Sequence, residues 1–122
     1  MEMIIGGAYQ GKAAYAKAQF PDVDWKFGGD ITEKAEGVLG FQEYIRKALK
    51  AGEDLTGLAE KLAQQDTDVI LVSEEVGYGI VPADAFERQY REAVGRVCTA
   101  LAAKSRRVTR VVCGIGTVLK DD

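Results

Sequence analysis

Met3-Ile4-Ile5-Gly6-Gly7-Ala8-Tyr9-Gln10-Gly11-Lys12-Ala13-Ala14-Tyr15-Ala16-Lys17-Ala18, residues 3–18, decides how the rest of the chain is read. Met3–Ile5 is a short apolar run stopped by two glycines, the mark of a buried strand entering a turn. Ala13–Ala18 has high helix propensity and ends before Pro21, because the residue preceding proline disfavours α geometry. Strand, glycine loop and helix in that order open an α/β unit.

Working outward, Val23–Phe27 reads as a second strand between Pro21 and Gly28-Gly29. Phe41, Tyr44, Ile45, Ala48 and Leu49 recur at helical spacing up to Gly52, which stands where a C-cap belongs. Leu55, Leu58, Ala59, Leu62 and Ala63 repeat the pattern, with Asp54 placed to cap or precharge the helix start. Val69-Ile70-Leu71-Val72 shows no alternation, the habit of a strand covered on both faces in a parallel sheet. A long helical pattern begins at Pro82, with Phe86, Tyr90, Val94, Val97 and Leu101 as its apolar stripe. Its polar side offers charge pairs Glu87/Arg91, Arg88/Glu92 and Glu92/Arg96 at i,i+4. Val108–Cys113 is another strand, and Gly114–Leu119 turns to add an edge piece. Strands separated by helices imply an α/β fold, a single three-layer P-loop-like domain over residues 1–122 with a small, mostly parallel sheet.

Composition narrows the function. Apolar residues at 47% and charged residues at 29% are ordinary globular values, against disorder or a fibrous chain. Sixteen basic against nineteen acidic residues give a net charge of -3, which argues against nucleic acid as a partner. No apolar run approaches the roughly 20 residues of a membrane span, so no membrane partner is expected. The short acidic start is no signal sequence, and a cytoplasmic protein is expected. The chain contains no histidine, which removes histidine acid/base chemistry, metal ligation and histidine-linked intermediates. Cys98 and Cys113 are too far apart in sequence for a redox motif and read as two buried thiols in a reducing compartment.

Two segments carry chemistry. In Gly6-Gly7-Ala8-Tyr9-Gln10-Gly11-Lys12-Ala13, glycines let backbone N–H groups turn around phosphate oxygens, and the helix start adds partial positive charge. Lys12 supplies a full charge to the outer phosphates. Ala13 stands where a Ser or Thr hydroxyl normally holds Mg²⁺. The plain alternative is a glycine turn with a surface lysine. In Ser73-Glu74-Glu75-Val76-Gly77-Tyr78-Gly79-Ile80-Val81-Pro82, an acid follows a buried strand at the edge where α/β sheets collect ligands. Glu75 would hold Mg²⁺ or orient a hydroxyl for phosphoryl transfer. Gly77 and Gly79 permit close ligand approach. The alternative is a solvated loop. Arg88 and Arg91 share a helix face and are candidates for a phosphate clamp or for surface ion pairs. Ser105-Arg106-Arg107 and Arg110 read as charges completing the end of the long helix.

Read in order, the two segments resemble the adenosylcobinamide kinase / adenosylcobinamide-phosphate guanylyltransferase family of cobalamin biosynthesis. Ile4–Lys12 looks like that family's Gly-Gly-Ala-Arg-Ser-Gly-Lys-Ser loop. More distinctive are Glu75-Val76-Gly77-Tyr78-Gly79-Ile80-Val81-Pro82, Arg88, Tyr90-Arg91, Gly95-Arg96-Val97 and Leu101-Ala102. The likeness continues through Val111-Val112-Cys113-Gly114-Ile115-Gly116 to Lys120. It covers about the first twenty and the last fifty residues and leaves the middle unmatched. Ala13, Glu74 and Cys98-Thr99 depart from the family's Ser, Asn and Asn-Gln. The resemblance implies a GTP- or ATP-binding transferase with Mg²⁺, a corrinoid substrate and a homo-oligomer. It implies an adenosylcobinamide kinase in which Lys12 and Glu75 act in catalysis. Guanylyl transfer through a histidine is closed to a chain without one. The rival readings are a non-catalytic nucleotide- or corrinoid-binding module, or an oligomeric scaffold with a vestigial loop.

Overall fold

The computed structural model describes residues 1–31, 34–65, 68–76 and 83–122. Strand β1 (Glu2–Gly6) leads to helix α1 (Lys12–Gln19), then β2 (Trp25–Phe27), a 3₁₀ turn at Gly28–Asp30 and β3 (Gly37–Leu39). Helices α2 (Phe41–Lys50) and α3 (Leu58–Gln65) precede β4 (Ile70–Glu74). Helix α4 (Ala85–Lys104) and strands β5 (Arg107–Val112) and β6 (Ile115–Asp121) complete the order.

The strands form one six-stranded sheet in the order β2-β3-β4-β1-β5-β6. Every pairing is parallel except β5–β6, which is antiparallel. The expected α/β fold with a small, mostly parallel sheet is therefore present. Alternation along the strands sends neighbours to opposite faces. Met3, Leu71 and Val108 pack under α2, α3 and α4, against Phe41, Ile45, Ala59, Tyr90, Val94, Val97 and Leu101. Ile4, Ile70, Val72 and Val111 face the other way and meet Ala16 of α1. Three layers result, and among the described residues α1 is the only helix on its side.

Helix α4 is capped at both ends. The Asp84 carboxylate accepts from the Glu87 backbone N–H at 3.0 Å. At the other end the Ser105 hydroxyl donates to the Leu101 carbonyl at 2.7 Å. The Lys120 ammonium, on β6, donates to the Ala102 and Ala103 carbonyls at 3.1 Å each. These contacts answer carbonyls that the helix cannot pair itself. Lys120→Met keeps the aliphatic stem but removes the donors, and should cost about 1 kcal/mol. Chemical denaturation measures this, and an unchanged midpoint would mean that water replaces the ammonium without loss.

Several expectations need correction. β3 has no counterpart in the sequence reading. Asp54 accepts from the Thr56 backbone N–H at 2.9 Å, closing a local turn four residues before α3 rather than capping it. α4 begins at Ala85, and Pro82 lies outside the described residues. Glu92 does pair with Arg96. Glu87 instead reaches Arg46 of α2, at 2.6 Å. That guanidinium also lies 4.0 Å from the centre of the Tyr90 ring. Arg110 belongs to β5, not to a helix end. Of the two thiols, Cys98 is half-buried and Cys113 is exposed.

Candidate nucleotide site at the switch between β1 and β4

The chain leaves β1 onto the Ile4 face through α1, and leaves β4 onto the Met3 face through α4. The two strands are neighbours, with Gly6 opposite Glu74. Crossovers that diverge from adjacent parallel strands open a crevice beyond their carboxyl ends, where α/β sheets bind ligands. The glycine loop and the Glu74-Glu75 pair meet there. The Glu75 backbone N–H donates to the Gly6 carbonyl at 2.7 Å, fastening one to the other.

Gly6 is buried where any side chain would force its neighbours to shift. A Cβ there would lie 2.5 Å from the Val111 carbonyl oxygen and 3.2 Å from two carbons of the Lys12 stem. The missing side chain lets that stem lie across the strand end. The Lys12 ammonium then donates back to the Gly7 carbonyl at 2.6 Å, bridging the two ends of the loop. Burial lowers its pKa below the ordinary lysine value, while the carboxylates of Glu74 and Glu75 oppose the shift. The bond to the Gly7 carbonyl takes one of the three donors of this part-buried ammonium, and the others are of the kind that phosphate oxygens accept. Between Gly7 and Lys12 the loop takes left-handed geometry at Tyr9 (φ 60°) and Gly11 (φ 86°). The Tyr9 side chain is fully exposed, and Ala8 and Ala13 lie at the surface.

Glu75 is engaged by Arg110, whose Nε donates to Oε2 at 3.2 Å. The Glu74 backbone N–H donates to the Gln42 side-chain oxygen at 3.0 Å. The sequence reading takes Arg110 for a helix-end charge rather than a partner of Glu75, and does not single out Gln42 at all. A charge interrupting the apolar run Val108–Cys113 was the available signal, since such a residue needs a partner. Gln42 had none. Among the described residues no cluster of three His, Cys, Asp or Glu side chains could cage a metal. A Mg²⁺ that arrives on phosphates needs only one or two carboxylates and keeps the rest of its shell, so Glu75 could serve it only by sharing or leaving Arg110.

Ser73 is buried, and its hydroxyl accepts from the Cys98 thiol at 3.6 Å. Burial pushes the Cys98 pKa up, which leaves the sulfur a poor nucleophile. Arg88 turns its guanidinium to the Ala83 carbonyl at 2.7 Å, and Arg91 is half-buried on α4. Gly77 and Gly79 lie outside the described residues.

A family model described as "Cobinamide kinase / cobinamide phosphate guanyltransferase" matches residues 33–119. The chain belongs to that family. The match takes in the middle of the chain, which the resemblance had left out, and begins after the glycine loop. Relatives in this cobinamide kinase / guanyltransferase family include the bifunctional adenosylcobalamin biosynthesis protein CobU of Escherichia coli. It is 48% identical over 52 residues, which are 43% of this chain and 29% of the relative. CobU of Salmonella typhimurium gives the same figures. The bifunctional adenosylcobalamin biosynthesis protein CobP of Pseudomonas aeruginosa is 37% identical over 65 residues, 53% of this chain and 38% of the relative. The chain thus spans well under half the length of the curated family members it matches. Among the described residues, no helix is long and apolar enough to cross a membrane.

Proposed function

We propose that the chain binds the triphosphate of GTP or ATP at Gly6–Ala13 and transfers a phosphoryl group to the aminopropanol hydroxyl of adenosylcobinamide. The observation that carries this reading is the Lys12 ammonium, closed over a glycine loop at the sheet's switch point beside Glu74 and Glu75. Phosphoryl transfer asks the protein mainly for position and charge, which such a loop supplies. On binding, Lys12 would leave the Gly7 carbonyl for the outer phosphate oxygens, and the loop amides would hold the inner ones. Glu75 would orient the acceptor hydroxyl, whose oxygen forms the new bond to phosphorus as the bond to the nucleoside diphosphate breaks. In the alternative role, Glu75 would hold Mg²⁺, which would supply positive charge against that of the phosphates. Arg88 and Arg91 would contact phosphate or a neighbouring subunit, and Gly77 and Gly79 would admit the ligand. No guanylyl-histidine can form on a chain without histidine.

Two observations favour a second reading, a binding module without turnover. Ala13 offers no hydroxyl to a metal, and the Glu75 carboxylate is already paired with Arg110. A third reading, an oligomeric scaffold, draws on β6, an edge strand whose Ile115 is 70% exposed, with Val118 and Leu119 open beside it. A homo-oligomer in the cytoplasm, without nucleic acid or membrane partners, accompanies the leading reading.

A melting-temperature screen with ATP, GTP and adenosylcobinamide, with and without Mg²⁺, tests the reading. A ligand at a hundred times its Kd adds about 2.7 kcal/mol. A nucleotide shift with turnover supports the kinase, and a shift without turnover supports the module. A flat response to every nucleotide rejects both.

A further inference from the structure

The glycine loop is held at its two ends by β1 and α1, yet its middle is also tied, and to a distant part of the chain. The Gln10 side-chain oxygen accepts from the Cys113 backbone N–H at 2.7 Å. The Gln10 carbonyl accepts from the next amide, Gly114, also at 2.7 Å. These two residues form the tight turn between β5 and β6, since Val112 pairs with Ile115. Both have positive φ, 51° at Cys113 and 76° at Gly114. A non-glycine residue in that region is strained unless its surroundings hold it. The backbones also approach closely: a Cβ on Gly11 would lie 3.3 Å from the Gly114 Cα. One strand position on, Gly116 leaves room for the Tyr15 ring of α1, which a Cβ would meet at 2.4 Å. The hairpin therefore presses on the loop and on the first turn of the helix that follows it.

We infer that Gln10 is a positioning residue: it ties the phosphate loop to the Cys113–Gly114 turn, so that the β5–β6 hairpin sets the loop shape that receives nucleotide. The inference rests on the nucleotide reading above. A loop pinned only at its ends would spend binding energy on ordering its middle, and a preformed tie removes that cost. Linkage makes the effect mutual. If the tie favours nucleotide, nucleotide must favour the tie by the same factor.

The test uses the whole chain, GTP and ATP with Mg²⁺, and two readouts: Kd by titration and amide hydrogen exchange at Cys113 and Gly114. In the unaltered chain, saturating nucleotide should slow exchange at both amides. Gln10→Met, which keeps the side-chain length but loses the acceptor, should speed exchange at Cys113 and weaken nucleotide binding about five- to tenfold. Gln10→Glu keeps an acceptor and should restore slow exchange at Cys113. If the unaltered chain binds nucleotide but Gln10→Met binds it equally, or nucleotide leaves both amides unprotected, the positioning role falls and the nucleotide reading stands. If the unaltered chain binds no nucleotide, both fall. Should Gln10→Met fail to fold, the exchange comparison in the unaltered chain decides alone.

Discussion

Lys12→Ala should weaken binding of GTP or ATP about a hundredfold, while the melting temperature of the free protein stays within a few degrees of the original. The binding loss follows from removing a charge-assisted contact to phosphate, worth about 2–3 kcal/mol in a partly desolvated site. The small effect on stability follows from the lysine's surroundings. Burial depresses its pKa from the ordinary 10.5, so carrying the charge costs the folded state something. That cost is fully present below the lowered pKa and fades as pH rises towards 10.5, where the unfolded chain also loses the proton. A bound triphosphate favours the ammonium and raises its pKa again. Nucleotide affinity should therefore fall as pH climbs through the lowered value, starting below pH 10.5, with proton uptake on binding in that window. Calorimetric titration across alkaline pH measures both. Lys12→Ala affinity equal to that of the unaltered chain would place the triphosphate elsewhere.

The second large effect concerns the fold beneath the site. Gly6→Ala should destabilise by about 1–3 kcal/mol, the usual cost of forcing a methyl into packed structure. For a chain of this size that is a fall of very roughly 3–15 °C in Tm. The obstacle is the Val111 carbonyl, 2.5 Å from the new carbon, and it belongs to the neighbouring strand of the central ladder. The sheet must shift to admit it. Gly95→Ala provides the contrast. Gly95 sits exposed in the middle of α4 with nothing within 4 Å of its added Cβ, so the change should stabilise by about 0.5–1 kcal/mol through helix propensity. Thermal melts of the two variants should move in opposite directions. A Gly6→Ala protein as stable as the original would mean that β1 and β5 separate without cost.

Legibility from sequence followed the physics of periodicity. α2 and α4 were readable because their buried residues recur at 3.6-residue spacing, from Phe41 to Ala48 and from Tyr90 to Leu101. β1 and β4 were readable as apolar runs covered on both sides. β3 is three residues, Gly37-Val38-Leu39, too short to show a period, and it is a strand because β2 and β4 flank it. Pairings across long separations leave no local mark: Glu87 chooses Arg46 of α2 over its own helix neighbour. The loop Gly6–Lys12 and the acids after β4 were found by motif, and the sheet order brought them together. Gln10 is legible only as a loop position, because its side-chain partner, the Cys113 amide, lies 103 residues away in a turn whose geometry the sequence does not announce. Arg110 falls inside the apolar run Val108–Cys113, yet its partner Glu75 lies at the end of another strand, so sequence spacing offers no link between the two.

Amide chemical shifts recorded while non-hydrolysable GTP and ATP analogues are added with Mg²⁺ test the central claim most directly. The account requires saturable changes that are largest at Gly7, Gly11, Lys12 and Ala13 and spread to Glu74 and Glu75. Saturable changes confined to other parts of the molecule, or none at any nucleotide concentration, would contradict it.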